Sequence, residues 1–178
     1  MIEIVVPESE VYNEETNEFI QTKRCVLKLE HSLVSLSKWE SKWHKAFLGP
    51  QDKTAEEIAD YIRCMSINPA PDYIFNFLTQ DDVNKIQDYI SNPMTATVVK
   101  EIPGKSNNEV VTSELIYYWM VALEIPFECE KWHLNRLLTL IKVCNIKNQP
   151  QKKMSNRAIL EQNRAINAAR RKKFHTKG

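Results

Sequence analysis

Ser32-Leu33-Val34-Ser35-Leu36-Ser37-Lys38-Trp39-Glu40-Ser41-Lys42-Trp43-His44-Lys45-Ala46-Phe47-Leu48-Gly49-Pro50 is the stretch that decides the fold class. Leu33, Leu36, Trp39 or Glu40, Trp43 and Phe47 return at helical spacing, which gives a helix one apolar face. Ser32 is a good first cap and Gly49-Pro50 a good stop, so the pattern predicts a helix from Ser32 to about Leu48.

Downstream, the same signature repeats. Thr54 with Glu57 three residues on reads as a capping box ahead of Ile58, Tyr61, Ile62 and Met65. Asn68-Pro69-Ala70-Pro71 forces an irregular link, and Tyr73 to Leu78 fits a short helix or a strand equally well. Thr79 to Ile90 predicts a helix with Val83, Ile86 and Ile90 on one face, stopped by Asn92-Pro93. Thr112 caps a helix from Ser113 to Leu123, broken at Ile125-Pro126. Glu128 to Val143 reads as one long helix with Trp132, Leu137, Leu140, Ile141 and Cys144 inward. After the linker Asn148-Gln149-Pro150, Ser155 to Phe174 reads as a polar final helix.

Strand signals are confined to a few places. Ile2-Glu3-Ile4-Val5-Val6 and Cys25-Val26-Leu27-Lys28-Leu29-Glu30 are strand candidates. Asn13-Glu14-Glu15-Thr16-Asn17 is a turn between them, and Phe19-Ile20 starts the return. The expectation is an N-terminal β-hairpin or small meander, too small to stand alone and therefore packed on the helices. Thr95 to Val99 is a further candidate strand that would pair with this hairpin, and Gly104 to Asn108 is a loop. The expected fold class is mainly α (α+β), with residues 1–30 as hairpin, 31–147 as helical body and 148–178 as basic helix and tail.

Composition supports a helical chain and narrows the function classes. The 178 residues include only three glycines, which disfavours glycine-rich phosphate loops and an all-β fold. Neither a leader peptide nor a membrane span is legible, since the longest greasy region, Leu115 to Leu123, is about half the necessary length. Cys25, Cys64, Cys129 and Cys144 are scattered and read as reduced thiols, so the cytoplasm is the expected compartment. Charge is divided unevenly. From Lys142 to Gly178 there are 11 Lys and Arg against one acid, whereas the remaining 141 residues hold 13 basic and 22 acidic groups. An acidic body carrying a basic tail follows.

No set of residues suggests catalysis. Cys129-x3-His133 has zinc-like spacing but no second pair, so the plainer reading is a core cysteine and a surface histidine. As a catalytic dyad the pair lacks an orienting third group, with His31 and His44 isolated in the sequence. Gly104-Lys105-Ser106 lacks the earlier glycine of a phosphate loop, because position 99 is Val99. No catalytic, metal or cofactor residue is expected. Trp39, Trp43 and Phe47 form an aromatic stripe that by itself favours core packing. Tyr117-Tyr118-Trp119-Met120 differs, because four consecutive large residues of a helix cannot all face one core. At least one is expected to meet another layer, a subunit or a partner. Arg170-Arg171-Lys172-Lys173 ends a helix where cations favour the dipole. It reads as a solvated terminus, a nucleic-acid-binding arm or a segment docking on the acidic body of a neighbour.

Three blocks carry a family resemblance: Leu29 through Lys45, Thr112 through Cys129 with its Tyr-Tyr-Trp-Met core, and Lys131 through Ile141. With the alanine- and arginine-rich closing helix they resemble the tail assembly chaperones of long-tailed bacteriophages, over most of the chain. The resemblance implies a non-catalytic protein of the host cytoplasm, absent from the finished virion. Such a protein binds the tape measure protein and keeps its long apolar helices from aggregating until tube subunits polymerise around them. It also implies self-association, including with a longer frameshifted form. On that reading Trp39, Trp43, Tyr118, Trp119 and Trp132 are the expected contacts with client or neighbour. The competing classes are a nucleic-acid-binding adaptor gripping phosphate with the basic tail, and a structural head–tail connector subunit.

Overall fold

The computed structural model describes residues 1–13, 18–99, 110–148 and 156–175. Strand β1 (Ile2–Val6) pairs antiparallel with β4 (Cys25–Leu29), and β2 (Ser9–Asn13) pairs antiparallel with β3 (Glu18–Thr22). Both ladders keep one register, from Ile2 opposite Leu29 to Asn13 opposite Glu18, so they form a single long ribbon. The interruption falls at Pro7, which has no N–H to give a ladder. The expected hairpin is therefore present as four strands. Its base joins the core through alternating residues: Ile4, Val6, Leu27 and Leu29 are buried while Glu3, Val5 and Lys28 face solvent.

The segment Met65–Asn68 lies along the far edge of β4. Glu30 N–H donates to the Met65 carbonyl and Ile67 N–H to the Lys28 carbonyl, both at 2.9 Å. The Asn68 amide closes the edge, accepting from Lys28 N–H at 2.8 Å and donating to the Val26 carbonyl at 2.9 Å. Asn68, which reads in the sequence only as part of a break, thus satisfies a strand edge.

Helix α1 (Leu33–Trp43) starts at the expected cap, Ser32, but stops before the expected Leu48. His44, in the left-handed conformation at φ 53°, donates its N–H to the Glu40 carbonyl and ends the helix. The reason lies in the next turn, where Phe47 stacks on Tyr61 with ring centroids 3.8 Å apart. A continued helix could not bring it there. Glu40, only 7% exposed, secures the turn: Phe47 N–H donates to its Oε1 at 2.9 Å, and Ser113 N–H to its Oε2 at 2.7 Å. Ser113 opens α4 (Ser113–Ala122), so a carboxylate from α1 serves an N–H in the first turn of another helix. Glu40→Ala is expected to cost roughly 2–4 kcal/mol by leaving two inward N–H groups unpaired, and Glu40→Gln less. Urea melts of both variants test this; equal losses would remove the hydrogen bonds as the cause.

Helix α2 (Ala55–Cys64) has the expected Thr54–Glu57 capping box. Of the expected apolar set Tyr61, Ile62 and Met65 are buried, but Ile58 is 47% exposed, while Glu57 and Asp60 are also buried. The two acids are inward because α1 and the turn after it supply their partners. Asp60 accepts from Lys42 Nζ at 2.5 Å and Trp43 Nε1 at 2.8 Å, and Glu57 is paired with Lys45. Residues Asp72–Phe77 form a 3-10 helix, and α3 (Gln80–Ser91) follows from a Thr79 cap. Thr95 to Val99 is not a strand, and Val98 is 89% exposed. The edge of β4 is taken by Met65–Asn68. The expected loop Gly104–Asn108 lies outside the described residues.

The expected long helix from Glu128 is two elements, a 3-10 stretch Phe127–Lys131 and α5 (Leu134–Asn148). The break exists because His133 bridges to Ser32, and Leu134 N–H donates to the His31 carbonyl at 2.7 Å. By contact the chain forms two compact units, Met1–Ile146 and Lys147–Gly178. The second contains α6 (Asn156–Phe174), which holds no buried side chain among those described.

Candidate partner-binding surface

Helix α4 has the sequence Ser-Glu-Leu-Ile-Tyr-Tyr-Trp-Met-Val-Ala and is apolar nearly all round. A helix of that kind is normally enclosed on every side. Here Ile116 and Met120 are fully buried, whereas Tyr118 is 66% and Val121 61% exposed. The four consecutive large residues separate because each step turns about 100°. Met120 enters the core, Tyr117 turns toward Glu130, Trp119 turns toward α5, and Tyr118 faces solvent. Tyr117 Oη donates to Glu130 Oε2 at 2.9 Å. Burial and then that carboxylate push its phenol up to about 12, so it remains a donor at neutral pH. Phe127, itself exposed, lies 6.5 Å from the Tyr117 ring.

Trp119 lines a mainly apolar groove of about 350 Å³ with Leu48, Val111, Leu138 and Ile141, and Lys142 and Asn145 are its polar members. Gly49 lets the loop carrying Leu48 approach, since a Cβ there would come within 3.3 Å of Val110. Sequence reading missed Leu48, Val111 and Leu138 because they come from three separate segments. The helical spacing of Leu138 and Ile141 on α5 was the only available sign.

The five expected aromatic contacts do not form one surface. Trp39 is fully buried and donates from Nε1 to the Glu57 carbonyl at 2.8 Å, so it is a core residue and not a surface anchor. Trp43 is half-buried and held by Asp60. Trp132 is half-buried beneath the Arg136 guanidinium, 4.1 Å from its ring centroid. Only Tyr118 and Trp119 share an element and remain accessible. Arg170, Arg171, Lys172 and Lys173 are all exposed in the last turns of α6.

The Cys129–His133 pair is not a helix-surface motif. Cys129 ends up buried in the 3-10 stretch, and His133, expected at the surface, is 6% exposed. Nor is His31 isolated: its ring lies 5.1 Å from that of His133, edge to face. Tyr61 Oη is 2.6 Å from His31 Nδ1, and His133 Nε2–H donates to the Tyr89 carbonyl at 3.0 Å. His133 Nδ1 is then the unprotonated nitrogen, buried without a partner among the described residues. Tyr89 in turn donates to Glu30 at 2.5 Å, and the Met1 amino group lies 2.5 Å from the other Glu30 oxygen. Burial, then the neighbouring His133, holds His31 at about 3; burial also lowers His133, against the Tyr89 bond and Glu30. Both rings are neutral packing elements at pH 7. Among the described residues no three His, Cys, Asp or Glu side chains are grouped to hold a metal ion, and no helix is long and apolar enough to cross a membrane.

No family model, curated protein or solved structure matches the chain.

Proposed function

We propose that the protein is a non-catalytic chaperone that holds an apolar helical client on the outer face of α4 and the adjoining groove. The client we infer is the tape measure protein of a long-tailed phage, captured in the host cytoplasm during tail assembly and released before the virion is complete. The observation that carries the binding reading is a helix apolar nearly all round, left with Tyr118 and Val121 in solvent beside the Trp119 groove. Apolar area of that kind at a surface favours an interface. The identity of the client rests on the resemblance of the Leu29–Lys45, Thr112–Cys129 and Lys131–Ile141 blocks. Self-association is part of the same proposal and rests on the division of charge along the chain.

Tyr118→Ala is expected to change stability by less than about 1 kcal/mol, because the side chain is exposed. Capture of a co-expressed tape measure fragment should weaken by roughly 2 kcal/mol or more, about thirtyfold. Trp119→Ala should weaken capture as much, with a larger loss of stability because its ring is half-buried. Co-purification read beside thermal melts decides. A folded Tyr118→Ala, Val121→Asp double variant that retains its client would mean that α4 is the wrong surface. A nucleic-acid adaptor is the second reading, favoured by the exposed cations of α6. It would show as steeply salt-dependent DNA binding.

A further inference from the structure

Carboxylates border the outer face of α4. Glu114, Tyr118, Val121 and Ala122 recur at helical spacing and are all exposed. Phe127, also exposed, lies 6.5 Å by ring centroid from Tyr117, which precedes Val121 by one turn. Residues 110–130 contain four glutamates and no lysine, arginine, aspartate or histidine, a net charge of −4. Glu130 accepts from Tyr117. Glu114, Glu124 and Glu128 are exposed, and none of them joins an ion pair among the described residues. An occupant that covers the apolar patch and suits this rim carries apolar side chains flanked by cations.

Helix α6 has that chemistry. A 19-residue helix with no buried side chain among those described depends on propensity alone, which is weak support in water. Ile159 and Ile166 fall on one face with Arg170 and Lys173, and Phe174 lies beside them; all five are exposed. The helix contains six basic residues and one acid, Glu161, a net charge of +5. The acid is already engaged by Arg157, 3.3 Å away. An apolar stripe bordered by cations thus meets an apolar patch bordered by carboxylates, at nearly equal and opposite charge.

We propose that α6 of one copy docks on the outer face of α4 of a second copy. Ile159, Ile166 and Phe174 cover Tyr118, Val121 and Phe127, and the cations of α6 face the glutamate rim. The contact is head to tail, because the two surfaces differ. Each pairing leaves one α4 face and one α6 free, so assembly closes into a ring or continues as an open row. The same α4 face is the one inferred above to hold the client, so a client and a neighbour's α6 exclude each other. Client capture therefore dissolves the assembly. The proposal rests on that reading of α4 and adds what occupies the face before a client arrives.

The test uses the full-length chain and light scattering after size separation, at low and high salt. Wild type is expected to form larger species at low salt and to dissociate as salt rises, since exposed charges are screened within roughly 8 Å at physiological ionic strength. Reversal of the helix (Arg170→Glu, Arg171→Glu, Lys172→Glu, Lys173→Glu) should weaken association at least tenfold. Reversal of the rim (Glu114→Lys, Glu124→Lys, Glu128→Lys) should do the same, since like charges in apposition are unfavourable. An equimolar mixture of the two reversed proteins should recover association, because each then offers the surface that the other needs. A monomeric wild type at low salt overturns self-association itself, and association abolished by nuclease treatment assigns α6 to nucleic acid and overturns the proposal. Tyr118→Ala, read for association and for capture of the co-expressed tape measure fragment, separates the two readings of α4. A variant that loses the fragment yet associates as wild type does overturns this contact and leaves client binding standing. One that loses association yet retains the fragment supports this contact and overturns the client reading. Circular dichroism confirms that each variant is folded; if the rim reversal is not, the helix reversal and Tyr118→Ala decide.

Discussion

Lowering the pH from 7 to 4 is expected to remove roughly 3 kcal/mol of stability through His31 alone, a large share of what a domain of this size possesses. The cause is the buried ring beside His133, held down to about 3 in the fold by burial and by that neighbour. In the unfolded chain a histidine takes up its proton near pH 6.5. Between those values the unfolded state binds more protons, so stability rises with pH. The contribution is therefore complete above about pH 6.5 and is lost progressively as the pH falls toward 3, at about 1.4 kcal/mol per unit. His133, also lowered, steepens the loss, since its free Nδ1 would have to take a charge in the interior. Urea melts at half-unit intervals read the slope. His31→Asn should lower stability at pH 7 and flatten the curve between pH 6.5 and 4. An unchanged slope in that variant would place the proton uptake elsewhere.

Trp39→Ala is expected to cost about 3–5 kcal/mol, enough to melt much of the population at physiological temperature. The side chain is fully enclosed, with its ring 5.0 Å from Phe47 edge to face and 6.2 Å from Trp43. Truncation opens a cavity where α1 meets α2 and deprives the Glu57 carbonyl of its donor. Trp39→Phe separates these effects, since it keeps most of the volume and should cost about 1–2 kcal/mol. Denaturation midpoints of both variants beside Tyr118→Ala make the comparison. A Trp39→Ala protein destabilised by less than about 1 kcal/mol would place the residue outside the core.

These expectations show where sequence reading was strong and where it was not. Helix starts at Ser32, Thr54, Thr79 and Thr112 were all legible, because capping is chemistry between a side chain and an N–H two or three residues on. Helix ends were less so. Gly49-Pro50 is a sound local stop, yet His44 ends α1 because Phe47 must reach Tyr61 on another helix. The histidine pair left no trace in the sequence. His31 and His133 meet only because the chain between them returns to bridge Ser32.

The same division holds for the candidate surface. The sequence by itself determined the helical class, the N-terminal hairpin, the capped starts of the helices and the charge division between body and tail. Each depends on residue type, on alternation, or on neighbours within one turn. It also established that Tyr117–Met120 holds more apolar bulk than one core can accept. Only the tertiary structure decided which residues are inside. Trp39 lies in the core and Tyr118 outside it, although both are aromatic residues on apolar helices. Periodicity measures direction around a helix, whereas burial depends on what other segments bring to that side. For Trp39 that is the Glu57 carbonyl and Phe47; Tyr118 remains 66% exposed.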